Sequence, residues 1–169
     1  MFEVLNQSRD ELLDDCTVET FRGSGPGGTK ADTTESAVRI THEPTGITVS
    51  ASEQRSQQAN RKTAYRRLKL KYALEVRHDV DSERINIPDQ LESYLNDGID
   101  INPKNPHFPF WVKLVLDVLK AHQGRVGPTA DVFGLSTNQL VRFFRKDDRL
   151  WQQANRIREQ FDLHPLKSD

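Results

Sequence analysis

The residues of this chain whose types and spacing could do chemistry lie in a glycine-rich stretch at positions 23–30, with the sequence GSGPGGTK. Glycine lets a backbone come close to another backbone or to a phosphate, and this stretch has no aliphatic side chain to bury. The spacing fits neither the GxxxxGK[ST] phosphate loop nor a dinucleotide-binding loop, because a hairpin pattern follows where those motifs need a helix. We therefore predict an exposed loop that approaches a backbone or a phosphate, with Thr29 at its tip.

A second group of functional candidates is basic. Residues 54–77 contain eight Lys and Arg side chains and one acidic residue, Glu75. Because residues 53–77 contain no Pro or Gly, and Tyr65, Leu68 and Tyr72 recur at helical spacing, the pattern predicts one long helix. The scarcity of acidic partners at i,i+4 favours contact of its cations with RNA phosphates over the alternative, a solvated surface.

Charge is segregated along the chain, although the net charge of the 169 residues is only −1. Residues 1–20 and 79–101 are acidic and flank the basic stretch. A single cysteine, Cys16, excludes an internal disulfide and a multi-cysteine metal site, and no apolar run approaches the roughly 20 residues of a membrane span. The N-terminus shows neither a secretory nor a transit peptide pattern. We expect a cytoplasmic protein without a cofactor, a metal, a membrane contact or an obligate oligomer.

Local patterns predict the elements around the glycine-rich stretch. Ser8 is a plausible N-cap for a short helix, CTVETFR alternates like a strand, and SAVRITH and GITVSAS predict a hairpin around EPTG. Four prolines and an acidic bias over residues 79–109 predict a linker with at most a short helix at DQLESYL.

The last third of the chain is predicted to be helical. Apolar residues at helical spacing predict one amphipathic helix around Phe110, Leu114 and Val118. A second is predicted through Leu150, Ala154, Ile157 and Phe161.

Between these helices the stretch PTADVFGLSTNQLVRFFRK matches a helix-turn-helix. Ala130 suits the helix crossing, Gly134 the tight turn, and Ser136 the N-cap of the second helix, which Leu140 would anchor. Nucleic-acid binding through Arg142 and Arg145 is one interpretation. A small helical bundle that uses the same turn for packing is the other.

Three stretches occur in a recognisable order: RGSGPGG, TTESAVRITHEPTGITV and EQRSQQANRKTAYRRL. Over residues 18–77 they resemble the peptidyl-tRNA hydrolysing domain of class I peptide chain release factors and their ribosome-rescue relatives. In that family the loop carries Gly-Gly-Gln, enters the peptidyl transferase centre and promotes attack by water on the ester that joins peptide to tRNA. The resemblance implies the ribosome, through the rRNA of this centre, and peptidyl-tRNA as partners.

The resemblance places Gly27, Gly28 and Thr29 at the catalytic positions, with Thr29 in place of the glutamine. Residues 31–33 also depart from the family pattern and include Asp32, whose charge opposes docking onto phosphates. Thr29 keeps the backbone N–H that can stabilise developing negative charge, but its short β-branched side chain cannot reach as glutamine does. Three hypotheses stay open. The first is a peptidyl-tRNA hydrolase in translation termination or ribosome rescue, and the second is a non-catalytic ribosome- or RNA-binding paralogue. A DNA-binding regulator led by the helix-turn-helix is the third.

The sequence thus predicts an α+β fold. Residues 1–78 would form a small mixed domain of short antiparallel strands with a long basic helix, 79–107 an acidic linker, and 108–169 an all-helical module with the helix-turn-helix. The candidate RNA- or ribosome-binding residues are Arg22, Lys30, Arg39, His42, Arg55, Arg61, Lys62, Arg66, Lys69, Arg142 and Arg145.

Overall fold

The computed structural model describes residues 1–22 and 35–167. The chain divides into two compact units, Glu3–Tyr72 and Ala73–Asp169, the latter together with Met1–Phe2. The first unit combines strands with helices and the second is mainly helical. The predicted α+β fold is confirmed.

Two short helices open the first unit. They are α1 (Glu3–Asn6) and α2 (Arg9–Asp14). Ser8 caps α2 as predicted: its Oγ accepts the N–H of Glu11, whose carboxylate accepts the N–H of Ser8 at 2.7 Å. This reciprocal pair satisfies donors that every helix start leaves open.

An antiparallel sheet forms the body of the first unit. In the described residues its order is β1 (Cys16–Phe21), β2 (Ala37–His42) and β3 (Ile47–Ala51). The predicted hairpin between β2 and β3 is confirmed, with its turn closed by the N–H of Gly46 on the carbonyl of His42 at 2.8 Å. Gly46 has φ +68°, a left-handed conformation that glycine adopts without strain.

The long basic helix is α3 (Gln57–Glu75), which starts four residues later than the predicted 53. The N–H and the C=O of Gln54 are both bound by the side chain of Asn60, so the chain there cannot make helical hydrogen bonds. Ser56 Oγ accepts the N–H of Ala59 and takes the capping position instead.

The acidic segment after α3 contains more structure than predicted. A 3-10 turn (Ser82–Arg84) and α4 (Asp89–Glu92) precede a tight hairpin of β4 (Leu95–Asn96) and β5 (Gly98–Ile99). The prediction of at most a short helix is therefore wrong for this stretch. Leu91, Ile99 and Ile101 are buried, so the segment supplies core side chains to the second unit.

Helix α5 (Phe108–Ala121) is the centre of the second unit. Its residues from Phe108 to Leu119 are all buried, so it is not amphipathic as predicted. Lys113 and Asp117 are both 0% exposed and pair at 2.5 Å. Arg77 joins Asp117 at 3.0 Å, and Lys113 also donates to the carbonyl of Val76 at 2.7 Å. These contacts fasten the chain just after α3 to α5.

The predicted helix-turn-helix is present as α6 (Val126–Val132) and α7 (Thr137–Phe144). Gly134 turns the chain with φ +65°, and Leu140 is fully buried. Ser136 and Gln139 form a capping box at the start of α7.

Helix α8 (Asp148–Glu159) buries Leu150, Ala154 and Ile157. Phe161 was expected on the same face, but it lies beyond the helix end and is 36% exposed. The N–H of Phe161 donates to the carbonyl of Arg158, three residues back, at 3.0 Å, so the chain is wound more tightly there than in the helix and Phe161 leaves the apolar stripe. The chain turns back at Asp162, which has φ +57°. None of the helices in the described part of the chain has the length and apolarity that a membrane crossing requires.

Candidate functional site

The strands β1 and β2 hold the two ends of the segment that contains the glycine-rich stretch. Cα register pairs Phe21 with Ala37 at one end of this strand pair and Cys16 with His42 at the other. The chain between Arg22 and Glu35 therefore starts and finishes at neighbouring positions of a rigid ladder. Gly27, Gly28, Thr29 and Lys30 lie outside the described residues, so their assignment as catalytic and binding residues stays a prediction.

Asn60 fixes the point where the chain enters β2. Its side chain is 0% exposed, and its Nδ2 donates to the carbonyl of Ser36 at 2.7 Å and to that of Gln54 at 2.8 Å. Its Oδ1 accepts the N–H of Gln54 at 2.9 Å. One buried amide thus joins α3, the approach to α3 and the entry of β2.

Sequence reasoning missed Asn60, although a signal was present. Asn60, Ala64, Leu68 and Tyr72 recur every four residues and are all buried. A polar residue within an apolar stripe requires hydrogen-bond partners, because its burial without them is unfavourable. That requirement predicts a backbone contact such as the one to Ser36.

Arg39 lies on β2 beside the same end of the sheet. Its guanidinium stands 5.1 Å from the centre of the Phe21 ring, and its Nη1 is 3.9 Å from the carboxylate of Glu19. The Arg39 side chain is 50% exposed, so it can meet a ligand in solution. Arg22, the last described residue before the glycine-rich stretch, is also exposed.

The cations of α3 and its approach fall into two groups. Arg55, Arg61, Lys62 and Arg66 are exposed. We call these four the outward cations. Lys62 and Arg66 are one helical turn apart, so their side chains share one face of α3. A row of exposed cations on a helix can bind a phosphate backbone.

The other group binds backbone carbonyls within the first unit. Arg67 donates to Ser50 at 2.6 Å and Lys71 to Thr48 at 3.0 Å, both on the edge strand β3. Arg67 also pairs with Glu53 at 2.6 Å. These contacts cover carbonyls of the β3 edge, which an open strand would present to another chain.

Lys69 belongs to the second group, although the sequence placed it among the RNA-binding candidates. Its Nζ donates to the carbonyls of Leu5 and Gln7 at 2.8 and 2.9 Å and lies 5.0 Å from the centre of the Tyr65 ring. Burial lowers the pKa of Lys69 below its usual value. The structure thus gives Lys69 a role in holding the N-terminal segment.

His42 is likewise a structural residue of the hairpin. Its ring is 2% exposed, its Nδ1 is 2.7 Å from the hydroxyl of Thr45, and it meets the Tyr72 ring edge-on. Burial lowers the pKa of His42, although the negative charges of Asp15 and Glu43 act in the opposite direction. The geometry gives no support to its predicted contact with RNA, which stays a prediction.

Arg142 lies on α7 and Arg145 is the C-cap that follows it; both are exposed. Arg142 pairs with Asp97 at 3.4 Å, and Arg145 donates to the carbonyl of Lys167 and stands over the Trp151 ring at 5.5 Å. No group of His, Cys, Asp and Glu that could hold a metal ion occurs among the residues described.

Comparison with known proteins gives a consistent match to the first unit and the segment after it. The model of the RF-1 domain matches residues 10–93. Peptide chain release factor 2 of Pseudarthrobacter chlorophenolicus is 36% identical over 116 residues, which are 69% of this chain and 29% of that protein. Peptide chain release factor 1 of a Hydrogenobaculum species is 50% identical over 74 residues, 41% of this chain and 21% of the relative.

A shorter alignment has a higher identity. Peptide chain release factor 2 of Staphylococcus haemolyticus is 57% identical over 58 residues, 34% of this chain and 16% of the relative. The chain thus spans less than a third of the length of these curated relatives. Because the match covers the sheet, the segment between β1 and β2, and the basic helix, this chain belongs through residues 10–93 to the RF-1 domain family, the class I release factor domain.

Proposed function

We propose that this chain acts on the ribosome as a release-factor-like protein that hydrolyses peptidyl-tRNA, in translation termination or in ribosome rescue. The observation that carries the proposal is the RF-1 domain match over residues 10–93, on a scaffold whose β1–β2 pair brackets the glycine-rich stretch. Such a protein would act on ribosomes in the cytoplasm.

The proposed reaction needs a water, an ester and a group that stabilises negative charge. Water attacks the carbonyl carbon of the ester, the bond from that carbon to the ribose oxygen breaks, and the proton lost by water ends on that oxygen. Gly27 and Gly28 would let the backbone approach the ester closely. The backbone N–H at Thr29 would donate to the oxyanion, a contact typically worth about 3 kcal/mol.

Docking on the ribosome would use the outward cations, together with Arg22 and Arg39. These side chains are exposed, and their charge would release counterions condensed on rRNA phosphates. Asn60 would act as a positioning residue, because it holds the base of the catalytic segment at Ser36.

A non-catalytic ribosome-binding protein is the second candidate. Thr29 favours it, since the family's glutamine side chain is missing, and Asp32 adds a negative charge close by. In this second candidate function the outward cations still dock the protein on the ribosome, but the ester of peptidyl-tRNA is not hydrolysed.

The experiment that tests the proposal is release of a labelled peptide from purified ribosome complexes. The decoding site of the complexes would hold a stop codon, a sense codon or no mRNA. Release above the rate of spontaneous hydrolysis in any of the three supports the catalytic proposal, and the codon pattern separates termination from rescue. Binding without release supports the second candidate, and absence of both binding and release contradicts the proposal.

A further inference from the structure

A basic groove lies on the second unit, and none of its lining residues belongs to the RF-1 domain match. Its volume is about 490 Å³, and its lining residues are Asn138, Val141, Arg142, Arg145, Leu166 and Lys167. Three of these six side chains are cations and none is acidic. The groove therefore offers a positive surface for an anionic ligand.

The outward face of α7 forms one wall of this groove. Asn138, Val141, Arg142 and Arg145 follow the i, i+3, i+4, i+7 spacing of one helix face. Leu140, Phe143 and Phe144 anchor the opposite face in the core. Because these buried side chains fix the orientation of α7, Arg142 and Arg145 both face the groove.

The C-terminal segment 163–167 forms the other wall. Arg158 donates twice to the carbonyl of His164, at 3.0 and 2.8 Å. The N–H of Leu166 donates to Asn155 at 2.7 Å, and Arg145 binds the carbonyl of Lys167 at 3.0 Å. These contacts keep Lys167 beside the arginines of α7.

An anion of the protein itself already pairs with one of the arginines that line the groove. Asp97, at the turn of the β4–β5 hairpin, accepts from Gln139 at 2.8 Å and pairs with Arg142 at 3.4 Å. The hydrogen bond from Gln139 and the charge of Arg142 lower the pKa of Asp97. Both members of the ion pair are largely exposed, and such surface pairs contribute little to stability, so another anion can replace Asp97.

We propose that this groove binds the phosphate backbone of double-helical RNA, and that a phosphate displaces Asp97 from Arg142 when the RNA docks. The choice of RNA over DNA rests on the proposed function at the ribosome, whereas the displacement rests on the geometry alone.

The chemistry of the lining favours phosphates over an acidic peptide. Guanidinium groups form paired hydrogen bonds with carboxylates as well as phosphates, but only a nucleic-acid duplex presents its anions in a continuous, evenly spaced row. Arg142 and Arg145 are one turn apart on α7, which suits contact with closely spaced phosphates of one strand. Asn138 adds a neutral donor that can reach the 2′-hydroxyl of RNA.

The test measures binding of the full chain to a fluorescent RNA hairpin as salt is varied. All proteins carry R61Q/K62Q/R66Q, so that the outward cations of α3 do not mask the groove. In this background R142Q/R145Q should lower affinity at least about tenfold and reduce the log–log salt slope by about one for each arginine. D97N should raise affinity up to about fivefold, the size of one exposed ion pair.

The matched control is R156Q, which removes an exposed cation of α8 outside the groove. Circular dichroism of each variant checks folding. R142K, which keeps the charge but loses the paired hydrogen bonds, should keep the salt slope and lose part of the affinity. An equal loss of affinity per removed cation in R156Q and in R142Q/R145Q, or no gain in D97N, would overturn the proposal. Tighter binding of a DNA duplex or of a polyglutamate competitor would overturn the choice of RNA. Ribosome binding of the R61Q/K62Q/R66Q background is read separately, so the docking part of the proposed function can fail without affecting this result.

Discussion

Asn60 and Ser36, 24 residues apart in sequence, are joined by a 2.7 Å hydrogen bond from the buried side-chain amide to the backbone carbonyl. Ser36 is the second described residue after the segment that holds the glycine-rich stretch. The bond therefore links the rigid start of α3 to the point where that segment returns to the sheet.

Replacing Asn60 with Ala should destabilise the first unit. The carbonyls of Ser36 and Gln54 would lose their donor, and an unsatisfied buried group costs about 1–3 kcal/mol. We expect a loss of about 2–4 kcal/mol in urea unfolding, with faster amide exchange at Ala37 and Val38. Gln58→Ala, at an exposed position of the same helix, is the control and should change stability by less than about 0.5 kcal/mol. An unchanged N60A protein would show that the bond has no energetic role.

The two groups of cations on α3 allow a charge-matched comparison. K62Q/R66Q and R67Q/K71Q each remove two positive charges, but only the first pair is exposed and directed away from the β3 carbonyls. K62Q/R66Q should weaken ribosome binding and lower its salt slope by about one per cation, with little effect on stability. R67Q/K71Q should lower stability and leave the salt slope nearly unchanged. Equal salt slopes for the two variants would refute the division into outward and structural cations.

The buried pair of Lys113 and Asp117 predicts a pH dependence of stability. Burial, with a smaller contribution from Arg77, lowers the pKa of Lys113 to about 8, although Asp117 acts in the opposite direction. Between that value and the usual 10.5 the unfolded state binds more protons than the folded state, so stability rises with pH in this window. The difference in unfolding free energy between wild type and K113M should therefore grow in favour of wild type from pH 8 to 10.5. Parallel curves over this range would show that Lys113 keeps its ordinary pKa.

Removing the other partner should be more damaging. Asp117→Asn leaves Lys113 0% exposed and without its carboxylate, so the amine must either stay charged and unpaired or release its proton; breaking such a buried pair typically costs about 3–5 kcal/mol. Arg77 also loses the negative charge with which it pairs, whereas the N–H of His78 can still donate to the amide oxygen. Thermal unfolding of D117N and of the exposed control D131N measures the cost, and only D117N should show a large drop in Tm. Similar Tm values for the two variants would contradict the assigned role.

The spacing of apolar residues and the capping residues in the sequence predicted the elements whose structure is determined within a short segment. The hairpin of β2 and β3 and the capped helices α2 and α7 are of this kind, because short-range patterns determine them. The β4–β5 hairpin was missed because its strands have two residues each, too few to alternate. It is stabilised by packing that a single segment does not reveal.

For the candidate site, sequence identified the kinds of residue but not their directions. All the cations of α3 look alike in a one-dimensional pattern, and only the position of β3 separates Arg67 and Lys71 from Arg66. His42 has the composition of a binding residue, yet its ring is enclosed by Thr45 and Tyr72. These assignments depend on tertiary neighbours, which residue type and spacing do not specify.

The last prediction concerns Thr29, where the chain departs from Gly-Gly-Gln. If backbone donation supports the reaction, the wild-type chain should release peptide slowly and Thr29→Gln should release it faster, because the glutamine side chain restores the shape of the site. Gly28→Ala should suppress any activity, since a Cβ would obstruct the close approach of the backbone. The gain from glutamine should be partial, because Asp32 still repels phosphates. The measurement is single-turnover release at saturating protein, with ribosome binding of each variant determined in parallel. Full ribosome binding without release by T29Q would show that the segment has lost more than one side chain, and the non-catalytic function would then be preferred.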